Sequence, residues 1–280
     1  MTTLTLSNCY TPLVVTTPSS SDQQVDPIIQ SPTGISASAI RSGIVGSRSN
    51  GDGQTRSASQ LRRLHLAVDI SSTALGSSLV ELGHSKVLCH VVHGDVNASN
   101  VEEGVVEVTV EWATNFGLVA LPEVSGLDQH TAARTTSTKT MSVDYATKIK
   151  EALLPAMVSL QHLPKAVISV VLTILQDDGS ILSACIMAAS LALSNASLEL
   201  YDLVTSCTVC CMDNGVVLVD PTSDELDASL GSLTLTMLYG WKEVTHWQQT
   251  GAVVGSKAMD LAKEGCRTLA KFMRECLVQS

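Results

Sequence analysis

A chain of 280 residues can hold one large or two small domains with a proper core. Hydrophobic residues make up 45% of it but aromatics only 3%, so the interior has to be assembled from Val, Leu, Ala, Ile and Met. The formal net charge of −10, from 17 basic and 27 acidic residues, repels polyanions and argues against a stand-alone nucleic-acid binder.

Residues 1–58 are rich in Ser, Thr, Gly and Gln and read as a disordered N-terminal extension, with the folded body over 59–280. The N-terminus lacks a basic region followed by an apolar core, so the eight cysteines are expected as reduced thiols in an intracellular protein. The most apolar stretch, "ACIMAASLAL", falls short of the roughly 18 to 20 residues that span a bilayer and reads as a buried helix.

Strands come first. "LHLAVDI", "SSLVELG" and "KVLCHVV" are short β-rich runs, and "LGHSK" is the turn between the last two. In "VVEVTVEW", Val106, Val108, Val110 and Trp112 alternate with Glu107, Thr109 and Glu111, the mark of a half-buried strand. A polar loop is expected over 121–140. "SVDYATKIKEALLPAM" then has helical spacing through Ala146, Ile149, Leu153 and Ala156, with Ser142 as N-cap and Pro155 near the stop.

"AVISVVLTIL" reads as a strand covered on both faces, leading through "QDDGS" into the helix "LSACIMAASLALSNA". "LVTSCTVCC" and "GVVLV" form a hairpin around "MDNG", since Asn-Gly favours the tight turn. "SLTLTML" and "EVTHWQ" add strands, and Met259, Ala262, Cys266, Leu269, Met273 and Cys276 make one face of a closing helix. The fold class is α+β, mostly antiparallel sheets with packed helices.

Four carboxylates, Asp220, Asp224, Glu225 and Asp227, crowd "VLVDPTSDELDASLGS". Such a group can hold a divalent metal or deliver a proton, or it can be a solvated loop. Cys207, Cys210 and Cys211 sit in a strand pattern that splits them between two faces, with no second pair to complete a zinc site. His90 and His93 diverge for the same reason. Neither a G-x-S-x-G elbow nor a phosphate-binding glycine loop is present. The basic groups are Arg62 with Arg63, Arg134 with Lys139, and Lys148 with Lys150.

Four segments carry a resemblance. "LQDDGSILSACIMAASLALSNASLELYDLV" (175–204) is similar to a strand–turn–helix of the RNase PH family, and "GSSLVELGHSKVLCHVVHG" (76–94) to its hairpin. "GDGQTRSASQLRRL" resembles the family's opening motif, and "KIKEALLPAM" its helix before the second half. The likeness is greatest to the RNase PH-like subunits of the eukaryotic RNA exosome ring. It implies the RNase PH-like fold, of the ribosomal protein S5 domain 2-like kind.

Active members of that family carry two aspartates six residues apart and a phosphate-holding arginine. The resemblance sets Leu226 and Ser232 at the aspartate positions and Thr140 and Met141 at the arginine's. Asn50 to Gln54 read "NGDGQ", so the arginines flanking the opening motif look lost. The resemblance therefore implies a catalytically silent ring subunit without metal or cofactor, located in the nucleus, nucleolus and cytoplasm. It also implies other RNase PH-like subunits and an S1/KH-type cap protein as partners, and RNA threaded through the channel. Arg62, Arg63, Arg134 and Lys139 are the residues expected to face that RNA. Among silent subunits, "LVDPTSDELD" and "EGCRTLAKFMRECL" most resemble the mRNA-transport-regulator type, component six, with the component-five type as the runner-up. An active phosphate-dependent exoribonuclease with its acids relocated to Asp220–Asp227 stays open as the rival.

Overall fold

The computed structural model describes Arg48 and residues 56–94, 104–113, 129–158, 166–252 and 255–279, the side chains of 129–139 excepted. Strands β1 (Leu64–Val68), β2 (Gly76–Leu82) and β3 (Ser85–His93) form an antiparallel meander. β4 (Val105–Trp112) has the alternation its sequence announces: Val106 and Val110 are buried, while Glu107, Thr109 and Glu111 are exposed.

Helix α1 (Gln129–Leu153) then crosses over to β5 (Val167–Gln176), which inserts between β3 and β4. β5 is antiparallel to β3 and parallel to β4, so the first sheet has the order β1-β2-β3-β5-β4 and one parallel pair. A parallel pair needs a long crossover, and α1 packed on β4 supplies it.

That crossover corrects the expected polar loop over 121–140. The helix is already running at Gln129, so Ser142 lies inside it rather than capping it. "TTSTKT" has weak helix propensity, which is why the sequence pattern does not announce the helix there. Residues 121–128 lie outside the described residues. Pro155 does mark the stop, inside a single 3-10 turn, Leu154–Ala156. β5 also departs from expectation: Ile168, Val170, Leu172 and Ile174 are buried, but Ser169, Val171 and Thr173 on the other face are half-exposed.

Helix α2 (Ile181–Asn195) lies between the two sheets, touching β2, β3 and β6, and is buried from Ile181 through Leu193. A helix apolar all round belongs in such a place. Gly76 permits the close fit, because a Cβ there would overlap the Ala192 carbonyl oxygen and the Ala196 backbone.

The second sheet has the order β7-β6-β8-β9 and is wholly antiparallel. Its members are β6 (Val204–Cys211), β7 (Val217–Val219), β8 (Gly231–Leu238) and β9 (Glu243–Gly251). A hairpin around Asn214-Gly215 joins β6 and β7, and Gly215 N–H donates to the Met212 carbonyl at 2.9 Å. Between β7 and β8 stands α3 (Ser223–Asp227). Helix α4 (Gly255–Gln279) covers β6, β7 and β8 with Ala262, Cys266, Leu269 and Met273 buried, and Met259 and Cys276 packed at the margin. The fold is α+β and rich in antiparallel pairing. None of the described helices is long and apolar enough to cross a membrane.

Candidate functional site

The acid-rich stretch behind β7 folds into a short helix, with Asp220 and Glu225 buried and Asp224 and Asp227 exposed. Thr222 caps α3, its hydroxyl accepting from the Glu225 N–H at 3.4 Å, while the Glu225 carboxylate accepts from the Thr222 N–H at 3.0 Å. This reciprocal pair is a capping box, and it anchors so short a helix. Asp220 (φ 51°) turns the chain just before it and is buried.

Three arginines converge on these acids. Arg62 donates from Nε to Asp220 Oδ2 at 2.9 Å and from Nη2 to Oδ1 at 2.7 Å, and its backbone N–H meets the same carboxylate at 3.0 Å. Its remaining donors reach the carbonyls of Asp178 and Gly179. Arg48 forks onto Glu225 at 2.6 and 3.0 Å and donates to the carbonyls of Ser57, Ala58 and Val219. Arg56 reaches Glu225 at 3.2 Å and the Asp220 carbonyl at 3.1 Å. Forked guanidinium–carboxylate pairs combine charge with fixed geometry.

The electrostatics follow the burial. Burial alone pushes the Asp220 carboxyl up, but the charge and hydrogen bonds of Arg62, with Arg56 beyond, outweigh it and hold it below the usual carboxylate range. Arg62 is raised in return, Asp220 outweighing the effect of burial. Burial and the neighbouring Arg48 bring Arg56 down to about 10.

Two expectations are corrected here. Arg62, only 2% exposed and fully engaged with Asp220, cannot face RNA. Arg48 and Arg56 stand two positions outside "NGDGQ" on either side and close on each other, Arg56 N–H to Arg48 carbonyl at 2.8 Å, so Asn50 and Gln54 still occupy the positions where the family motif has arginine. The expected boundary at 58/59 shifts as well, since Arg48 and 56–58 belong to the folded body. The rest of 1–58 lies outside the described residues.

On the other side of α3 opens a cavity of about 230 Å³. Leu226 and Asp227 of α3 line it with Ser232 and Thr234 of β8, Gln248 and Thr250 of β9, Thr208 of β6, and Tyr145 of α1. Asp177, Gly179, Ser180 and the start of α2 close it. Gly179 (φ +82°) allows the approach, because a Cβ there would stand 2.6 Å from the Thr222 carbonyl carbon. The Leu226 and Ser232 singled out from the sequence therefore do share one cavity. Thr140 and Met141 do not line it; both are exposed on α1, and Tyr145, one turn beyond Met141, is the α1 residue that does.

Partial burial, then the H-bond from the Gly179 N–H pulling the other way and Asp178 pushing with it, leaves the Asp177 carboxyl raised. Burial and the Asp177 charge push the Tyr145 phenol up to about 12. A hydroxyl relay runs inward from the lining: Thr234 to Thr208 at 3.0 Å, Thr208 to Ser183 at 2.8 Å, and Ser183 to Ser206 at 3.1 Å. The described lining contains no Lys, Arg or His. The side chains of Arg134 and Lys139 lie outside the described residues. Arg63 is half-buried beside β1 and away from this lining.

Among the described residues no group of three His, Cys, Asp or Glu could hold a metal ion. Cys207 and Cys211 pack in the main core while Cys210 turns to a small cluster with Met212 and Leu218. Burial raises the thiols of Cys207 and Cys210, as befits packing residues. Asp177 and Tyr145 escaped the sequence reading, although the doubled acid of "QDDGS" was a usable sign of the former.

Models of the 3′ exoribonuclease family, RNase PH, match residues 60–199 (domain 1) and 202–265 (domain 2). The chain belongs to the RNase PH family. The two matched parts of this RNase PH-family chain meet in the connection from α2 to β6, between the sheets. It is 29% identical to the exosome complex component RRP41-like of Arabidopsis thaliana, over 79% of this chain and 82% of that one. With the human exosome complex component MTR3 it shares 30% identity over 81% of this chain and 86% of the relative. Among solved structures, an archaeal exosome core matches with a TM-score of 0.63 at 22% identity, over 85% of this chain and 97% of that one. That match shows the fold, which is the RNase PH-like fold expected from the sequence.

Proposed function

We propose that this chain is a non-catalytic structural subunit of the RNA exosome core ring. It supports 3′–5′ RNA processing and degradation by assembling the ring and helping to line its RNA channel. The observation that carries the reading is the lining of the cavity: Leu226 and Ser232 stand where the family resemblance sets the two aspartates of active members. Leucine neither donates a proton nor ligates a metal, and a lone serine hydroxyl is a poor substitute. The relatives with exosome names support the ring assignment. The opening motif, with Asn50 and Gln54 where the family has arginine, weighs the same way.

Its partners in this reading are the other RNase PH-like ring subunits, an S1/KH-type cap protein, and RNA in the assembled channel. The nucleus, nucleolus and cytoplasm are its locations. The sequence segments around Asp220 and in α4 favour the mRNA-transport-regulator type over the component-five type.

A second reading has one observation in its favour. Asp177 and Asp227 both line the same cavity and supply two carboxylates there. An active, phosphate-dependent 3′–5′ exoribonuclease would use them in place of the displaced pair; Asp220 and Glu225, locked by arginines, are unavailable for it. Purified chain, alone and in the reconstituted ring, is incubated with labelled RNA and phosphate. Absence of nucleoside diphosphate release attributable to this subunit supports the silent reading. Release that disappears with Asp227→Ala or Asp177→Ala, while the fold is kept, overturns it.

A further inference from the structure

The turn from β8 to β9 carries Trp241, which is 60% exposed and sits edge-on to Tyr201 (53% exposed), with ring centroids 5.9 Å apart. A chain with only 3 Trp and 4 Tyr thus spends two of them on one small surface. Large aromatic side chains left in water forgo the burial that usually makes them useful, so such a pair asks for a partner.

The turn beneath the pair is held by three separate elements. The Asp202 carboxylate, from the segment before β6, accepts from the Gly240 backbone N–H and from Arg274 Nη2 of α4, the latter at 2.7 Å. The Arg274 guanidinium also lies 4.9 Å from the Tyr239 ring centroid, a cation–π contact. Lys242 adopts φ 57°, unusual for a residue with a side chain, and completes the tight turn. The aromatic tip is therefore oriented before anything binds, which lowers the ordering cost of association.

Trp, Tyr and Arg are the residues that dominate protein–protein hot spots, and here Trp241, Tyr201 and a half-exposed Arg274 stand together. The exposed charges on the same three segments balance, Lys242, Lys271 and Arg274 against Glu199, Glu243 and Glu275, and Arg274 is already paired with Asp202. A balanced rim provides no field for a polyanion and favours protein over RNA. The exposed donors, the Trp241 indole N–H and the Arg274 and Lys242 cations, call for acceptors opposite them.

We propose that the Trp241–Tyr201 tip is a preformed anchor for a neighbouring subunit of the ring, one presenting an apolar recess edged by carboxylate or carbonyl oxygens. This rests on the ring assignment above. The test co-expresses the chain with the other RNase PH-like subunits of the same species and measures its incorporation and dissociation. Trp241→Ala and Tyr201→Ala are compared with wild type, and thermal melting of each isolated variant checks its fold. Loss of a hot-spot anchor corresponds to about 30-fold weaker incorporation, with melting unchanged. Incorporation of Trp241→Ala equal to wild type overturns the anchor but leaves the ring assignment standing. Failure of the wild type itself to assemble overturns the ring assignment and this anchor with it. A photo-crosslinker at position 241 is expected to label an apolar, acceptor-edged recess of a ring neighbour; labelling of RNA instead overturns the proposal.

Discussion

The two sides of helix α3 treat the same kind of residue in opposite ways. On one side Asp220 and Glu225 are sealed from water and shared among Arg48, Arg56 and Arg62. On the other, Asp227 faces a hydroxyl-lined cavity with Asp177, and the described lining contains no cation. Glu225 and Asp227 are two positions apart, about 200° around a helix, so neighbouring acids in the chain enter different environments. A cluster of carboxylates in a sequence therefore says little about chemistry until each one's partner is known.

The clearest way to break that contrast is to remove Asp220. Asp220→Ala leaves the buried Arg62 guanidinium with only the more distant Asp178 carboxylate, 3.5 Å away, as an ionic partner, and urea unfolding is expected to show a loss of about 3 kcal/mol. Removing both charges, Arg62→Met with Asp220→Asn, keeps an acceptor for the backbone N–H of residue 62 and a residue that tolerates the left-handed turn, and is expected to recover part of it. The pH profile sharpens the point. The folded carboxyl of Asp220 lies below its unfolded value, so its contribution is complete above the ordinary carboxylate pKa, about 3.9. It is lost as the pH falls through the lowered folded value. Acid unfolding of Asp220→Ala should accordingly be less steep than that of wild type.

Arg48→Ala comes next. It frees Glu225 of its forked partner while Arg56 remains within 3.2 Å, and a loss of about 1.5–3 kcal/mol in the same unfolding assay is expected. Thr222→Ala deletes one half of the capping box and should cost about 1 kcal/mol, read as a lower melting temperature. The smallest effect belongs to the cavity. The Asp177 carboxyl is raised in the fold, so its unfavourable contribution sets in as the pH rises through the carboxylate range and is complete above the raised value. Asp177→Asn is expected to raise the melting temperature slightly at pH 7 and not at all near pH 3. A destabilised Asp177→Asn at pH 7 would show that the cavity holds its acid as firmly as the clasp holds Asp220.

Much of the architecture was legible in the chain. The alternation in β4, the Asn214-Gly215 hairpin, the buried helix α2 and the apolar face of α4 all appear where their periodicity announces them. Leu226 and Ser232, picked out by family resemblance, do meet in one cavity. The early start of α1 was not legible, because "TTSTKT" is a poor helix former and has no apolar period to announce a helix. Arg62 read as a surface cation because two adjacent arginines carry no local sign of which one is buried.

Turn residues and the periods of apolar residues act over a few positions, and they determined most of the strands and helices in this chain. Pairing of charges acts through space. Arg48 and Glu225 are separated by 177 positions and Arg62 and Asp220 by 158, so no local pattern could announce their contacts. Only the packing of both sheets around α2 brings those groups within 3 Å of each other. That packing decided that Asp220 and Glu225 hold the fold while Asp227 faces the cavity.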